Sequence, residues 1–278
     1  MEALVRVGTF LGVLTAMLLW EACRPRRPLS RPRQERWVAN LGLTLCNTIL
    51  VRVMVGGVAY TAALWAADQG IGLLYWHPLP PWAAAAVTLL VLDGALYLQH
   101  VMFHAVPLLW RLHRVHHADL DFDATTGLRF HPLEILLSLG YKSTIVVLLG
   151  AVPWAVIAFE VLLNAASVFN HGNVALPERL DHWLRWVLVT PDMHRVHHST
   201  HVSETNSNFG FSVSWWDRLC GTYRAQPALG HVGMEIGLRE YRAPLHLGQL
   251  LLLPWWGSAG QYTYTGSRPV RAEGNDTV

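Results

Sequence analysis

At 278 residues the chain is long enough for one large domain or two modest ones. It is 52% hydrophobic and 14% charged, with thirteen tryptophans, a balance that excludes an ordinary soluble globule and points to a polytopic membrane protein. A net charge of +2 without a basic-aromatic surface argues against nucleic acid, and three cysteines without a CxxC pair exclude a disulfide framework or an iron–sulfur signature.

In chain order, residues 3–20 form an apolar run about as long as a bilayer crossing. Glu21 and the lack of a small-x-small pattern before Cys23 argue against cleavage, so the run reads as a signal anchor. Residues 21–36 carry Arg24, Arg26, Arg27, Arg31, Arg33 and Arg36 among three prolines, which makes this loop cytoplasmic by the positive-inside rule. A second run over 37–67 is long enough to span with tilt or a break near Gly56-Gly57. It contains Arg52, which is costly in lipid. The connection 68–81 has no Lys or Arg and reads as an outside loop, and a third run over 82–104 returns inside.

Two shorter runs between Pro132 and His171, split at Gly150–Pro153, predict a helical hairpin that enters from the inside and comes back. Residues 177–243 are more polar and form an expected cytoplasmic cap. In it Asp192 sits at a helix start, and Glu204–Tyr223 is read as an ordered loop over the site. Residues 244–256, with Trp255-Trp256, look interfacial, and the tail after Gly260 reads as mobile. The fold expected is all-α: a polytopic membrane helical bundle with about three spanning helices, a shorter hairpin and a cytoplasmic cap. It divides into N-terminal membrane helices and basic loop (1–81), a catalytic region (82–243) and an interfacial helix with tail (244–278).

The chemistry lies in the histidines. The pentapeptide HRVHH occurs twice, as His113, His116, His117 and as His194, His197, His198. His100 and His104 precede the first copy at i, i+4, and His171 lies between the copies. On a helix, i, i+3 and i+4 share a face. Nine imidazoles at such spacings exceed what one ion can hold, which predicts a dinuclear metal site.

Asp93, Tyr97, His100 and His104 lie at i, i+4, i+7 and i+11, and Glu160, Asn164, Ser167 and His171 repeat those intervals. Metal-bound imidazoles donate their other N–H to a carboxylate or carbonyl, so Asp93 and Glu160 are the expected acceptors. A salt bridge between Asp93 and Arg52 is the competing reading. His131 is a tenth ligand or a helix cap. His77, His182, His201, His231 and His246 lack a partner at ligand spacing and are read as structural or surface residues.

An all-imidazole cluster is unusual for a hydrolytic two-metal site, which commonly uses bridging carboxylates. A His-rich pair of irons is workable. Three classes stay open on spacing alone: a lipid C–H oxidase, a zinc-dependent membrane hydrolase, and a non-catalytic metal-binding or transport protein.

These boxes, with Asp-x-x-x-Tyr-x-x-His leading into the first, resemble the fatty acid hydroxylase / sterol desaturase superfamily of integral-membrane di-iron oxygenases. The stretches Leu109–Leu112, Thr125–Glu134, Thr190–Met193, Glu204–Phe211 and Trp216–Leu219 are similar to its bacterial sterol-desaturase-type members, over about residues 85–225. The resemblance implies two iron ions as cofactor, dioxygen as cosubstrate, and hydroxylation or desaturation of a membrane lipid such as a sterol-like molecule or fatty acyl chain. It also implies an external electron donor of ferredoxin or cytochrome type with its reductase. Arg111, Arg114 and Arg195 are candidates to receive that donor. Family members with a further HxxxH box have a His where this chain has Ser167, which leaves one coordination position for a water held by Ser167 or Asn173. The location implied is a bacterial inner membrane, with the endoplasmic reticulum as the alternative.

Overall fold

The apolar runs seen in the sequence become helices whose ends are set by proline and glycine. The structure is a computed structural model that describes residues 2–54, 58–259 and 262–263. In order come α1 (Glu2–Cys23), α2 (Arg33–Met54), α3 (Val58–Gln69), α4 (Leu73–Trp76), α5 (Pro81–Ala105) and α6 (Pro107–His117). These are followed by α7 (Pro132–Leu149), α8 (Pro153–Asn170), α9 (Glu178–Leu184) and α10 (Pro191–His197). Short helices α11 (Val202–Thr205), α12 (Trp215–Leu219), α13 (Gly230–Gly233) and α14 (Leu247–Leu252) are the last α-helices among the described residues. Among the described residues there are isolated β-bridges but no strand.

Four of these helices are long and apolar enough to cross a membrane: Leu4–Cys23, Pro81–Ala105, Pro132–Leu149 and Pro153–Asn170. Both arms of the hairpin are therefore of spanning length. Gly150 ends α7 in the left-handed region (φ 67), with its own N–H and that of Ala151 closing the last turn, and Pro153 starts α8 at a position that needs no N–H donor. Trp82 and Trp154, exposed at the starts of α5 and α8, mark the end of the bundle away from the histidines as an aromatic belt does.

The run over 37–67 differs from the expectation. It is covered by α2 and α3, neither of which is among the four candidate spans. Gly56 and Gly57, and the side chain of Arg52, lie outside the described residues. The physical reason is a polar stripe. Arg36, Asn40, Thr44 and Asn47 follow one face of α2 at helical intervals and bind the segment 119–130 rather than lipid. Arg36 grips Asp119 with two parallel bonds of 2.6 and 2.8 Å and reaches Asp123 at 2.7 Å. Asn40 bonds Asp119 and Thr125 and accepts from Arg129, while Asn47 donates to the Phe130 carbonyl.

α1 runs parallel to α8, with Met17 against Gly172. Glu21 at its end accepts the N–H groups of Ala124 and Asn173 at 2.7 and 2.8 Å. The connections that carry the histidines are thus tied to the N-terminal helices.

The segment expected to be interfacial is partly core. Leu250 and Leu253 are buried with Trp110, Val115 and Leu43, while Trp255 stays exposed. Tyr262 stacks on Trp110 and donates to the Thr200 carbonyl. The tail read as mobile otherwise lies outside the described residues.

Candidate metal centre

Four segments converge at one end of the bundle. α5 delivers His100 and His104 from its last two turns, and α8 delivers His171 at its C-cap. Pro107 forces Val106 out of helical geometry, so α5 stops and α6 turns back with His113, His116 and His117. α10 begins at Thr190, whose side chain caps Met193 N, with Pro191 at the first helical position, and carries His194, His197 and His198. All nine rings are buried.

The rings fall into two groups whose ligand atoms lie within 4.8 Å of one another: His100, His104, His113, His117 and His197, and then His116, His171, His194 and His198. Successive helical residues turn by about 100°, so i+4 lies about 40° from i in one sense and i+3 about 60° in the opposite sense, which places i+3 and i+4 on opposite flanks of one face. Each HxxHH box obeys this. His113 and His117 stay together and His116 crosses to the other group; His194 and His198 stay together and His197 crosses back. The groups abut where His117 stacks on His198 at 4.6 Å between centroids.

The donor set fits metal ions. Two imidazole nitrogens about 2.1 Å from one ion at bond angles near 90–110° stand about 3.0–3.4 Å apart. The Nε2 atoms of His100 and His113, of His116 and His171, and of His171 and His194 are each 3.1 Å apart. Neither nitrogen of His117 or of His198 has a hydrogen-bond partner among the described residues. A buried polar atom without a partner costs about 1–3 kcal/mol, a penalty that a metal acceptor for the lone pair removes.

Outer partners turn the other nitrogens away from the centre. His113 Nδ1 donates to Glu134 at 2.6 Å, His100 Nδ1 to the Phe209 carbonyl at 2.7 Å, His197 Nδ1 to the Ser207 carbonyl at 2.8 Å and His171 Nδ1 to the Ser167 carbonyl at 2.7 Å. His104 Nδ1 bonds Asn206 Oδ1 at 3.2 Å. Each bond fixes the tautomer that leaves Nε2 free as a ligand. Burial, then repulsion among the rings, holds His116, His117, His194, His197 and His198 well below the usual imidazole range. Burial pushes His171 down to about 4 against the pull of the Ser167 carbonyl. These rings are neutral, as ligands must be.

Other singled-out residues have different partners. Asp93 accepts from Trp216 Nε1 at 2.8 Å, Tyr97 meets Thr222 Oγ1 at 2.9 Å, and Glu160 pairs with Arg6 and Lys142. Asn173 exchanges bonds with the backbone of Arg27. The Ser167 hydroxyl donates to the Gly127 carbonyl, and Asn164 lines a cavity described below. His131 caps α7 by accepting from Leu133 N and donates through Nε2 to the Leu251 carbonyl, which uses both nitrogens and leaves no lone pair for a metal.

Two arginines expected to face a donor are interior. Arg195 is buried against Asp192 and the Gly172 carbonyl, and Arg114 donates to the carbonyls of Leu253, Trp256 and Ser258. Arg111 donates to the Pro254 carbonyl.

Glu134, Asn206 and the network of Arg36 with Asp119 did not stand out in the sequence. The segment Asn206–Phe211 is folded by Asp217, which accepts from Phe209 N and Gly210 N at 2.8 and 2.9 Å.

Comparison with known proteins agrees with the geometry. A family model described as fatty acid hydroxylase matches residues 85–222. The ornithine lipid hydroxylase OlsE of Rhizobium tropici is 29% identical over 79% of this chain and 68% of its own. Human cholesterol 25-hydroxylase is 32% identical over 49% of each chain. Xenopus tropicalis alkylglycerol monooxygenase is 31% identical over 49% of this chain, which spans 30% of that relative's length. No solved structure matches.

Proposed function

Because the chain belongs to the fatty acid hydroxylase family, we propose that it is a membrane-bound di-iron oxidoreductase that uses dioxygen to hydroxylate or desaturate a membrane lipid. The observation that carries this reading is the pair of buried imidazole groups, five rings and four, at one end of an apolar helical bundle. Structural zinc is satisfied by four ligands, whereas a five-imidazole group suits a metal of higher coordination number such as iron. The relatives named above are described as acting on an ornithine lipid, a cholesterol and an alkylglycerol, so a lipid is the shared substrate class.

Two irons held by these rings would supply the activation of dioxygen needed to break an unactivated C–H bond. The chain's own part is positional. Glu134 and the carbonyls of Ser167, Ser207 and Phe209 hold their imidazoles in one tautomer and orientation. Phe130 stacks on His116 at 4.5 Å between centroids and, with Leu96 and Leu128, keeps an apolar wall beside the centre. That wall excludes water from the reacting carbon. Electrons come from a separate ferredoxin or cytochrome. The metal end faces the cytoplasm of a bacterial inner membrane, supported by the arginines of residues 24–36 next to that end.

The test is lipid mass spectrometry of cells with and without the protein, grown in air and without oxygen. A lipid that gains one oxygen or loses two hydrogens, only in air and only with the protein, supports the reading. A cleaved lipid that persists without oxygen points to a hydrolase and overturns it.

A further inference from the structure

A cavity of about 530 Å³ opens between α1, α2, α7 and α8. Gly127, Phe130 and Ser167 form its end at the histidines. Phe130 lies flat on His116 there, and a Cβ on Gly127 would stand 3.0 Å from His171 Nδ1. Phe10, Leu96, Ile135 and Leu139 give the cavity apolar walls.

One face of α8 supplies another wall. Glu160, Asn164 and Ser167 all line the cavity, and His171 follows on the same face at the next helical interval. Two contacts fix which way this face is turned. Glu160 pairs with Lys142 of α7, and the Ser167 hydroxyl donates to the Gly127 carbonyl. The face therefore looks across the cavity to α7 and the Thr126–Leu128 turn rather than out to lipid. Glu160, Ser167 and His171 are thus partnered, whereas Asn164 has no hydrogen-bond partner among the described residues. A carboxamide carries two N–H donors and one carbonyl acceptor. Within an apolar helix of spanning length such a group is costly until something binds it, and is retained where it serves function. A carbonyl of a lipid ester would satisfy only the donors. A group that both donates and accepts satisfies both ends of the amide.

We propose that this cavity is the lipid site and that Asn164 is a positioning residue, whose amide holds a neutral lipid group that both donates and accepts, a hydroxyl or a secondary amide. Seven residues of α8 separate Asn164 from His171, about 10 Å of helix. The carbon brought to the end at Ser167 is then set by its distance from that group, not from the end of the hydrocarbon chain. The proposal rests on the lipid-oxidase reading and adds to it the chemistry by which the lipid is placed.

Binding to the purified, metal-loaded protein in detergent tests it, with radiolabelled cetyl alcohol, N-methylpalmitamide and methyl palmitate as probes. The alcohol and the amide both donate and accept, while the ester only accepts. Preference for the alcohol over the ester marks a hydroxyl-bearing lipid, and preference for the amide an amide-bearing one. Asn164→Leu, close to the amide in shape, weakens the preferred probe about tenfold and the ester by less, so the preference is lost. Leu139→Trp, which fills the cavity wall, lowers binding of all three. Metal content equal to that of the unsubstituted protein certifies the fold of each variant. If Asn164→Leu does not fold, the comparison of the three probes on the unsubstituted protein decides alone. Equal affinity for the three, or the same preference in Asn164→Leu, overturns the anchor while leaving the oxidase reading standing. Light scattering in detergent covers the remaining case: a dimer that Asn164→Leu dissociates, with probe binding unchanged, assigns the amide to a contact between copies and also overturns the anchor. Selective binding with no oxygen-dependent product in cells upholds the anchor and removes the oxidase reading.

Discussion

Glu134 accepts the Nδ1–H of His113 at 2.6 Å, and it is the carboxylate that touches a ring of the metal cluster among the described residues. The first turn of α7 places it there, directly after the His131 cap and Pro132. Outer partners of this kind contribute about 10–100-fold in metal affinity or activity. Glu134→Gln should therefore lower metal retention during dialysis and the oxidation rate together, within that range. Full retention and an unchanged rate would show that the contact is incidental.

The interleaved grouping makes a prediction about neighbours in sequence. His116→Ala should deplete the four-ring group and His117→Ala the five-ring group, so each alone lowers metal content from about two ions per chain. Mass spectrometry for metals on the purified protein measures this. One ion per chain in the unsubstituted protein contradicts the two-centre arrangement.

Arg36 and Asp119 form a buried bidentate pair between α2 and the segment that follows the first HxxHH box. Burial by itself would raise the Asp119 carboxyl, but the guanidinium holds it well below the usual carboxylate range. Removing one partner of such a pair costs about 3–5 kcal/mol. Arg36→Leu should lower the thermal midpoint by several degrees and loosen metal binding, both measurable in detergent. Because Arg36 lies outside the family match, a midpoint within a degree of the original would separate α2 from the centre.

His231 offers a pH handle away from the metal ligands. Burial pushes its pKa down to about 3, with Asp192 pulling upward but not enough to offset it. The ring is neutral in the folded state, and on unfolding it returns to about 6.5. The stabilisation is fully present above the unfolded value and is lost as pH falls from there toward about 3. His231→Gln should flatten the decline of thermal stability between those limits. An unchanged acid limb in the variant would assign the decline to other groups.

The nine histidines were legible because a ligand pattern on a helix is a spacing pattern, and spacing survives in one dimension. The four apolar helices were legible for the same reason, through length and composition. What was lost is what has no periodicity. Ser167, Ser207 and Phe209 act through carbonyls that every residue possesses. Glu134 is one acid among nineteen and lies between boxes. The stripe of Asp93 and the stripe of Glu160 are real helical faces, yet each reaches past the metals to another partner, Trp216 in one case and Lys142 with Arg6 in the other. The polar face of α2 was written at helical intervals within an apolar run. It reads as interrupted lipid-facing sequence until the Asp119 segment is placed against it.

The crossing over of His116 and His197 has a mechanical consequence. Because α6 and α10 each feed both groups, turning either helix about its axis tightens one pocket as it opens the other. Ions held in both groups would oppose that turn from two sides at once, so the loaded centre would lock α6 and α10 in place more firmly than either group alone.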